Sequence, residues 1–160
     1  IMTPNQRTIA NDQLLPVVGE LLREGNEVTL RAKGRSMMPY IRDLRDNLIL
    51  RACPPDQLAV GDAVLAFTTD KRYVVHRIIV IDGDMLTLKG DGNLRGTEQC
   101  RRDAVLGRLT HVERNGKRID CNTPAERRKA AIGRTLWRAY LTVRHALGTV
   151  VRAITGRKRH

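Results

Sequence analysis

The chain has 160 residues, the length of one ordinary domain; 41% of them are hydrophobic, 3% are aromatic, and the net charge is +12. No apolar run approaches the roughly 20 residues of a membrane-spanning helix, and the N-terminal stretch has no apolar signal core. The three cysteines, Cys53, Cys100 and Cys121, are odd in number and far apart, which disfavours both a zinc site and a disulfide framework. We therefore expect a soluble, cytoplasmic protein without a metal or other cofactor.

The excess positive charge is confined to the C-terminal part of the chain. Residues 101–160 contain 16 Lys and Arg against 4 Asp and Glu, whereas residues 1–100 contain 13 of each, so the whole excess lies after residue 100. A neutral body joined to a basic region indicates an anionic partner, such as a lipid surface, a nucleic acid or an acidic protein. The alternative is a tail that serves only solubility.

The hydrophobic pattern predicts a mainly β body between two helical segments. Apolar residues at helical spacing predict a helix over 13–24, which Gly25 ends. Alternating and β-branched stretches predict strands over 27–33, 47–52, 63–68, 73–81, 85–89, 105–113 and, after the Asn115-Gly116 hairpin turn, 117–120. After Pro124 the pattern becomes helical to about Ile154. This divides the chain into a helical lead-in over 1–26, a β domain over 27–121 and a basic helical tail over 122–160.

The loop after the first strand reads GRSMMPYIRD, residues 34–43, and carries a serine near its centre. A serine hydroxyl is a weak nucleophile at neutral pH and needs a base within hydrogen-bond reach to take its proton. Ser36 is therefore a candidate nucleophile. The alternative is a serine that only caps the turn.

His76 is the best-placed candidate base. In the strand YVVHRIIVI it shares one face with Val74, Ile78 and Val80, because strand side chains alternate. A histidine on an apolar face is desolvated, which favours the neutral ring that can accept a proton. The alternatives are a core histidine bonded to a backbone carbonyl and a lysine base, for which Lys89 is the best candidate.

Asp91 is the candidate acid that would orient the His76 ring. The strand 73–81 turns near Gly83 and returns through 85–91, and a two-residue loop at 82–83 or at 83–84 places Asp91 on the face of His76. A three-residue loop would instead turn Asp91 to the other face. The stretch Gly90-Asp91-Gly92-Asn93 is also an ordinary turn sequence.

Three segments together resemble the signal peptidase I and LexA-type self-cleaving peptidase superfamily. They are GRSMMP, GDAVLAF and VVHRIIVIDGDMLTLKGDGN, in that order, and the resemblance covers about residues 27–112. It implies a mainly β fold of bent strands, a nucleophile at Ser36, a base at His76 and an acid at Asp91. The histidine at the base position is similar to the serine-histidine branch of signal peptidases. The stretch LRGTEQC has Gly96 and Thr97 where that branch carries a second acid, with Glu98 nearby.

The resemblance implies a serine endopeptidase that cleaves a leader or signal-type peptide bound in an extended conformation. The backbone N–H of Ser36 is then the expected oxyanion donor. The alternative function is a catalytically weak or inactive peptidase-like binding module whose basic tail contacts a membrane or nucleic acid. A nucleic-acid partner is disfavoured because few aromatic residues are present to stack on bases.

The tail predicts an amphipathic basic helix. One face carries Ile132, Leu136, Tyr140, Val143, Leu147, Val150 and Ile154, and the opposite face carries Arg134, Arg138, His145 and Arg152. Such a helix can lie on an anionic membrane surface, which would make the protein peripherally membrane-associated. The alternatives are that the apolar stripe packs on the β body or forms a homodimer.

Overall fold

The computed structural model describes residues 11–156. Its elements are α1 (Asn11–Arg23), β1 (Val28–Arg31), β2 (Asn47–Arg51), β3 (Ala63–Phe67), β4 (Tyr73–Asp82), β5 (Met85–Lys89), β6 (Glu98–Arg101), β7 (Val105–Arg114), β8 (Lys117–Asp120) and α2 (Pro124–Gly156). The predicted mainly β fold with a C-terminal helix is confirmed. The strand that the sequence pattern missed is β6, a short and charged segment without apolar alternation.

The strands form one curled antiparallel sheet in the order β1-β2-β7-β3-β4-β5-β6, with β8 paired to β7. Register shifts interrupt the β2–β7 ladder at Ile49/Leu50, the β3–β7 ladder at Leu65/Ala66 and the β4–β5 ladder at Ile78/Val80. Bulges of this kind bend strands and increase their twist, so they explain why the sheet curls. The third of them also determines which residues meet at the candidate site.

Helix α1 belongs to the larger of two hydrophobic cores. Val18 and Leu22 are buried in the same cluster as Leu50 of β2 and Leu65 of β3. The helix lies close to β7. A Cβ added to Gly107 of β7 would come within 2.9 Å of the Leu22 side chain. Burying a leucine side chain stabilises a fold by about 1.5–3 kcal/mol. The predicted lead-in helix is thus part of the packed body.

The Thr123 side chain caps the N-terminus of helix α2. Thr123 accepts a hydrogen bond from the Glu126 N–H at 3.2 Å, and Pro124 occupies the first helical position, where no N–H is needed. From there the helix continues for 33 residues to Gly156, a length of about 50 Å. Among residues 11–156 no helix combines the length and the apolarity that crossing a membrane requires.

The basic face of α2, and not its apolar face, lies against the sheet. Arg127 donates to the Asp62 carboxylate at 2.6 Å, and Arg134 lies 3.8 Å from the Asp91 carboxylate. Both carboxylates are buried, so the arginines supply the charge that they need. The apolar stripe consequently points away from the body, so the alternative that it packs on the β body does not hold.

Candidate active site

The Ser36 loop is held by its neighbours in sequence. Met37 is buried in the larger core and anchors the loop from below. The Gly34 N–H donates to the Asp43 carboxylate at 2.8 Å, and the Met38 N–H donates to the Arg35 carbonyl at 3.1 Å. Ser36 is left half-buried on the outer side of this loop, where it can meet a substrate.

Gly90 and Gly92 form a backbone platform under the Ser36 loop. The Gly92 N–H donates to the Ser36 carbonyl at 2.7 Å. A Cβ added to Gly90 would lie 2.5 Å from the Ser36 carbonyl oxygen, and one added to Gly92 would lie 2.7 Å from the Arg35 carbonyl oxygen. Both contacts are too short for any side chain, so these two positions require glycine in order to let the loop approach.

We expect Gly90→Ala to lower the free energy of unfolding by about 1–3 kcal/mol, because its methyl group would push against backbone. Any activity that depends on Ser36 should fall as well, since the displaced loop carries the serine. Gly148→Ala is the matched control, because the nearest atom to its added Cβ is a side-chain nitrogen 3.9 Å away. Denaturant unfolding of both variants checks this; equal stability of Gly90→Ala and wild type would contradict the close approach.

His76 has a carboxylate partner, and that partner is Glu98. The ring Nδ1 lies 2.8 Å from Glu98 Oε2, and both side chains are largely buried. A carboxylate accepts hydrogen bonds, so Nδ1 carries the proton and Nε2 keeps the lone pair. This is the tautomer that a general base requires. Glu98 comes from β6, which pairs with β5 on the side away from β4, so its side chain reaches past β5 to His76.

The prediction that Asp91 lies on the face of His76 is wrong. The turn is the expected two-residue loop at Gly83 and Asp84, since Asp82 pairs with Met85. The bulge between Ile78 and Val80 then shifts the register by one residue, so that Arg77 pairs with Lys89. A one-residue shift exchanges the faces of a strand, and Asp91 therefore meets Arg77 instead.

Asp91 is the centre of a buried ion cluster that joins three segments. Arg77 donates two hydrogen bonds to its carboxylate, at 2.8 and 2.7 Å, and a third to the Gly61 carbonyl. The Asp91 N–H points to the sulfur of Met37 at 3.5 Å, and Arg134 approaches from α2. Asp91 thus ties β4, the Ser36 loop and α2 together.

Charges in this cluster perturb the two arginines in opposite directions. Burial lowers the pKa of the Arg77 guanidinium, but the hydrogen bonds and charge of Asp91 outweigh it, and the net pKa is raised. Burial also lowers the pKa of Arg134; Asp91 opposes this effect, whereas Arg77 and Arg138 reinforce it, and the net pKa is lowered. The Asp91 carboxylate therefore interacts with both Arg77 and Arg134 beside the Ser36 loop.

Among the residues that the structure describes, no hydrogen bond joins Ser36 to His76. The β4–β5 ladder ends at the Arg77–Lys89 pair, so His76 and Gly90 are the next residues along the two strands, and Gly90 closely approaches the Ser36 backbone. In the described part of the chain, the hydrogen bonds use the Ser36 carbonyl but neither its hydroxyl nor its N–H. Both groups thus remain available for a substrate.

A groove runs from Ser36 along α2. Its first part has a volume of ≈ 440 Å³ and is bounded by the Ser36 loop on one side and by the helix on the other. A second cleft of ≈ 520 Å³ shares Gly92, Asn93, Leu141 and Arg144 with it and continues toward the C-terminal end of α2. The helix side of the first part is formed by Trp137, Tyr140, Leu141 and Arg144.

The cysteines and Lys89 are poor alternatives to the Ser36 and His76 chemistry. Burial raises the pKa of Cys121 to about 11 and that of Cys100 to about 11, so both are unreactive thiols at neutral pH. Lys89 donates to the Leu94 carbonyl at 3.4 Å in an exposed position. An exposed ammonium is not desolvated, and a lysine base requires desolvation.

Sequence reasoning missed the two partners that matter most, Glu98 and Arg77. The signal for Glu98 was an acidic residue in the stretch where relatives of the resembled family carry a second acid, but no strand was predicted there. The signal for Arg77 was its position next to His76, on the opposite face of the same strand.

The chain matches no protein-family model, and a search of the curated proteins finds no match to it.

Proposed function

We propose that this protein is a serine endopeptidase in which Ser36 is the nucleophile, His76 the general base and Glu98 the acid that orients the histidine. The observation that carries the proposal is the buried His76–Glu98 hydrogen bond of 2.8 Å. A buried histidine paired to a carboxylate, together with a half-buried loop serine whose hydroxyl has no hydrogen bond within the described residues, supplies the groups that nucleophilic catalysis needs.

The reaction proceeds in two halves. The Ser36 Oγ attacks the peptide carbonyl carbon while His76 Nε2 takes its proton, and the imidazolium formed is stabilised by Glu98. His76 then gives that proton to the leaving amine as the C–N bond breaks, which leaves an acyl-enzyme on Ser36. Water, deprotonated by the same Nε2, hydrolyses the ester and restores the serine. His76 does not line the groove that contains Ser36, so the mechanism requires the two side chains to approach each other when a substrate binds. Catalytic hydrogen bonds are often long without substrate and tighten on binding.

The groove along α2 suits an extended peptide. It is open, it passes Ser36, and its two parts together are long enough for several residues. Arg35 and Arg144 line the part next to Ser36, which favours a substrate with acidic or carbonyl-rich segments there. The unbonded Ser36 N–H supplies one oxyanion donor.

Mass-spectrometric profiling with a diverse peptide pool tests the proposal. Purified wild-type protein should produce cleavage products that Ser36→Ala does not produce, because only the hydroxyl is removed from a half-buried position. The residues that flank the cut sites would describe the groove. Identical peptide profiles for the two proteins, with and without phospholipid vesicles, would exclude a peptidase.

The second candidate is a binding module that retains the peptidase-like arrangement without catalysis. The observation in its favour is that the Ser36 hydroxyl and the His76 ring are not hydrogen-bonded to each other. This function predicts that peptides bind in the groove equally well to wild type and Ser36→Ala and leave unchanged. Fluorescence titration with uncut peptides from the same pool would measure this.

A further inference from the structure

The outward apolar face of α2 is exposed over most of the helix. It consists of Ile132, Leu136, Tyr140, Val143, Leu147, Val150 and Ile154, whose side chains are 52% to 66% exposed. From Ile132 to Ile154 the face extends about 33 Å, at 1.5 Å per residue. Exposed apolar patches of this size mark an interaction surface.

The charges of α2 indicate which partner fits. The helix contains one acid, Glu126, against the seven basic residues Arg127, Arg128, Lys129, Arg134, Arg138, Arg144 and Arg152. Among the described residues, Arg128 and Arg144 lie on the two sides of the outward apolar face, are exposed and take part in no salt bridge. In the sequence, Arg157-Lys158-Arg159 follow the helix. The partner must therefore be apolar where it meets the face and anionic around it.

A bilayer of anionic phospholipids meets both requirements. Its acyl region accepts the apolar face, and its headgroups neutralise the flanking arginines. A second copy of α2 would also cover the apolar face, and spacings of three and four residues suit paired helices. However, it would bring two basic helices together with no acid beside the face to pair with them.

We propose that α2 lies in the surface of an anionic phospholipid bilayer with its outward apolar face buried among the lipids. Tyr140 belongs both to this face and to the groove beside Ser36, so the groove opens at the bilayer surface. A substrate of the peptidase would then be a peptide held at the membrane, a consequence that rests on the proposed function.

Vesicle flotation of the full chain carrying Ser36→Ala tests the membrane contact without dependence on catalysis. We expect binding to vesicles of phosphatidylcholine with one third phosphatidylglycerol. Adding Val143→Asp and Leu147→Asp should lower that binding by at least about tenfold, because two charges would enter the apolar region. The matched control is Thr135→Asp with Thr142→Asp, which adds the same charge on another exposed side of α2. It should retain at least about fivefold more binding than the Val143 and Leu147 variant, because its charges stay among the headgroups instead of entering the apolar region.

Two results would overturn the proposal. One is that the Ser36→Ala chain fails to float with anionic vesicles, or floats equally well with the Val143 and Leu147 substitutions. The other is that sedimentation shows a dimer which those substitutions dissociate, because a second copy then covers the face. Vesicle binding by a wild-type chain that cleaves no peptide would leave this proposal standing and would remove only the peptidase.

Discussion

Replacing His76 with alanine should lower kcat for peptide cleavage by about a thousandfold or more, since general-base catalysis by a positioned histidine contributes about 10²–10⁴-fold. The substitution removes the group that accepts the Ser36 proton and later protonates the leaving amine. KM should change little, because His76 is 6% exposed and offers a bound peptide almost no surface. Steady-state kinetics on a substrate from the peptide pool would measure both constants.

The role of Glu98 can be separated from that of His76. Glu98→Gln keeps the size of the side chain, but its amide can donate to Nδ1. This stabilises the tautomer whose proton is on Nε2, so Nε2 has no lone pair with which to accept the Ser36 proton. A comparable change at a histidine-orienting aspartate costs about 10⁴-fold in serine proteases. We expect a loss of about 10²–10⁴-fold in kcat here, and no further loss when Glu98→Gln is added to His76→Ala, because the two residues act as a unit.

The control for this pair is Asp103→Asn, which changes an exposed carboxylate far from the ring and should leave kcat unchanged. Full activity of Glu98→Gln would show that the buried His76–Glu98 hydrogen bond has no part in catalysis. Additive losses in the double variant would show that Glu98 acts through some group other than His76.

The full register of the β4–β5 hairpin could not be predicted from the sequence. The alternation of apolar residues predicted both strands and the two-residue turn, because burial of one face imposes a period of two. The bulge between Ile78 and Val80 leaves no such pattern, since β-branched residues fill the strand on both sides of it. That single extra residue moved Asp91 from His76 to Arg77, and the carboxylate that bonds His76 is instead Glu98, on a strand too short to predict.

The orientation of α2 was the other feature that pattern alone could not give. An amphipathic helix normally turns its apolar stripe to the core, and nothing local in α2 departs from that rule. The reason for the inversion lies elsewhere in the chain: Asp62 and Asp91 are buried in the body and need cations. Only the fold brings these carboxylates to the surface that the helix crosses.

We expect Asp91→Ala to lower the free energy of unfolding by about 3–5 kcal/mol, the usual cost of removing one partner of a buried ion pair. The carboxylate is fully buried, and Arg77 donates two hydrogen bonds to it at 2.8 and 2.7 Å. Its loss leaves the Arg77 charge without its partner in the interior and removes the anion that Arg134 approaches from α2. Urea unfolding followed by circular dichroism would give the difference.

Asp103→Ala is the matched control, because it removes the same group from the exposed Arg101–Asp103 pair and should cost less than about 1 kcal/mol. Replacing both buried partners, with Arg77→Met and Asp91→Leu, should cost less than the sum of the two single changes, since no unpaired charge then remains. Asp91→Ala with the stability of wild type would mean that water or another group neutralises Arg77. Asp91 would then no longer be the residue that ties β4, the Ser36 loop and α2 together, and its position beside the loop would have to be explained by catalysis instead.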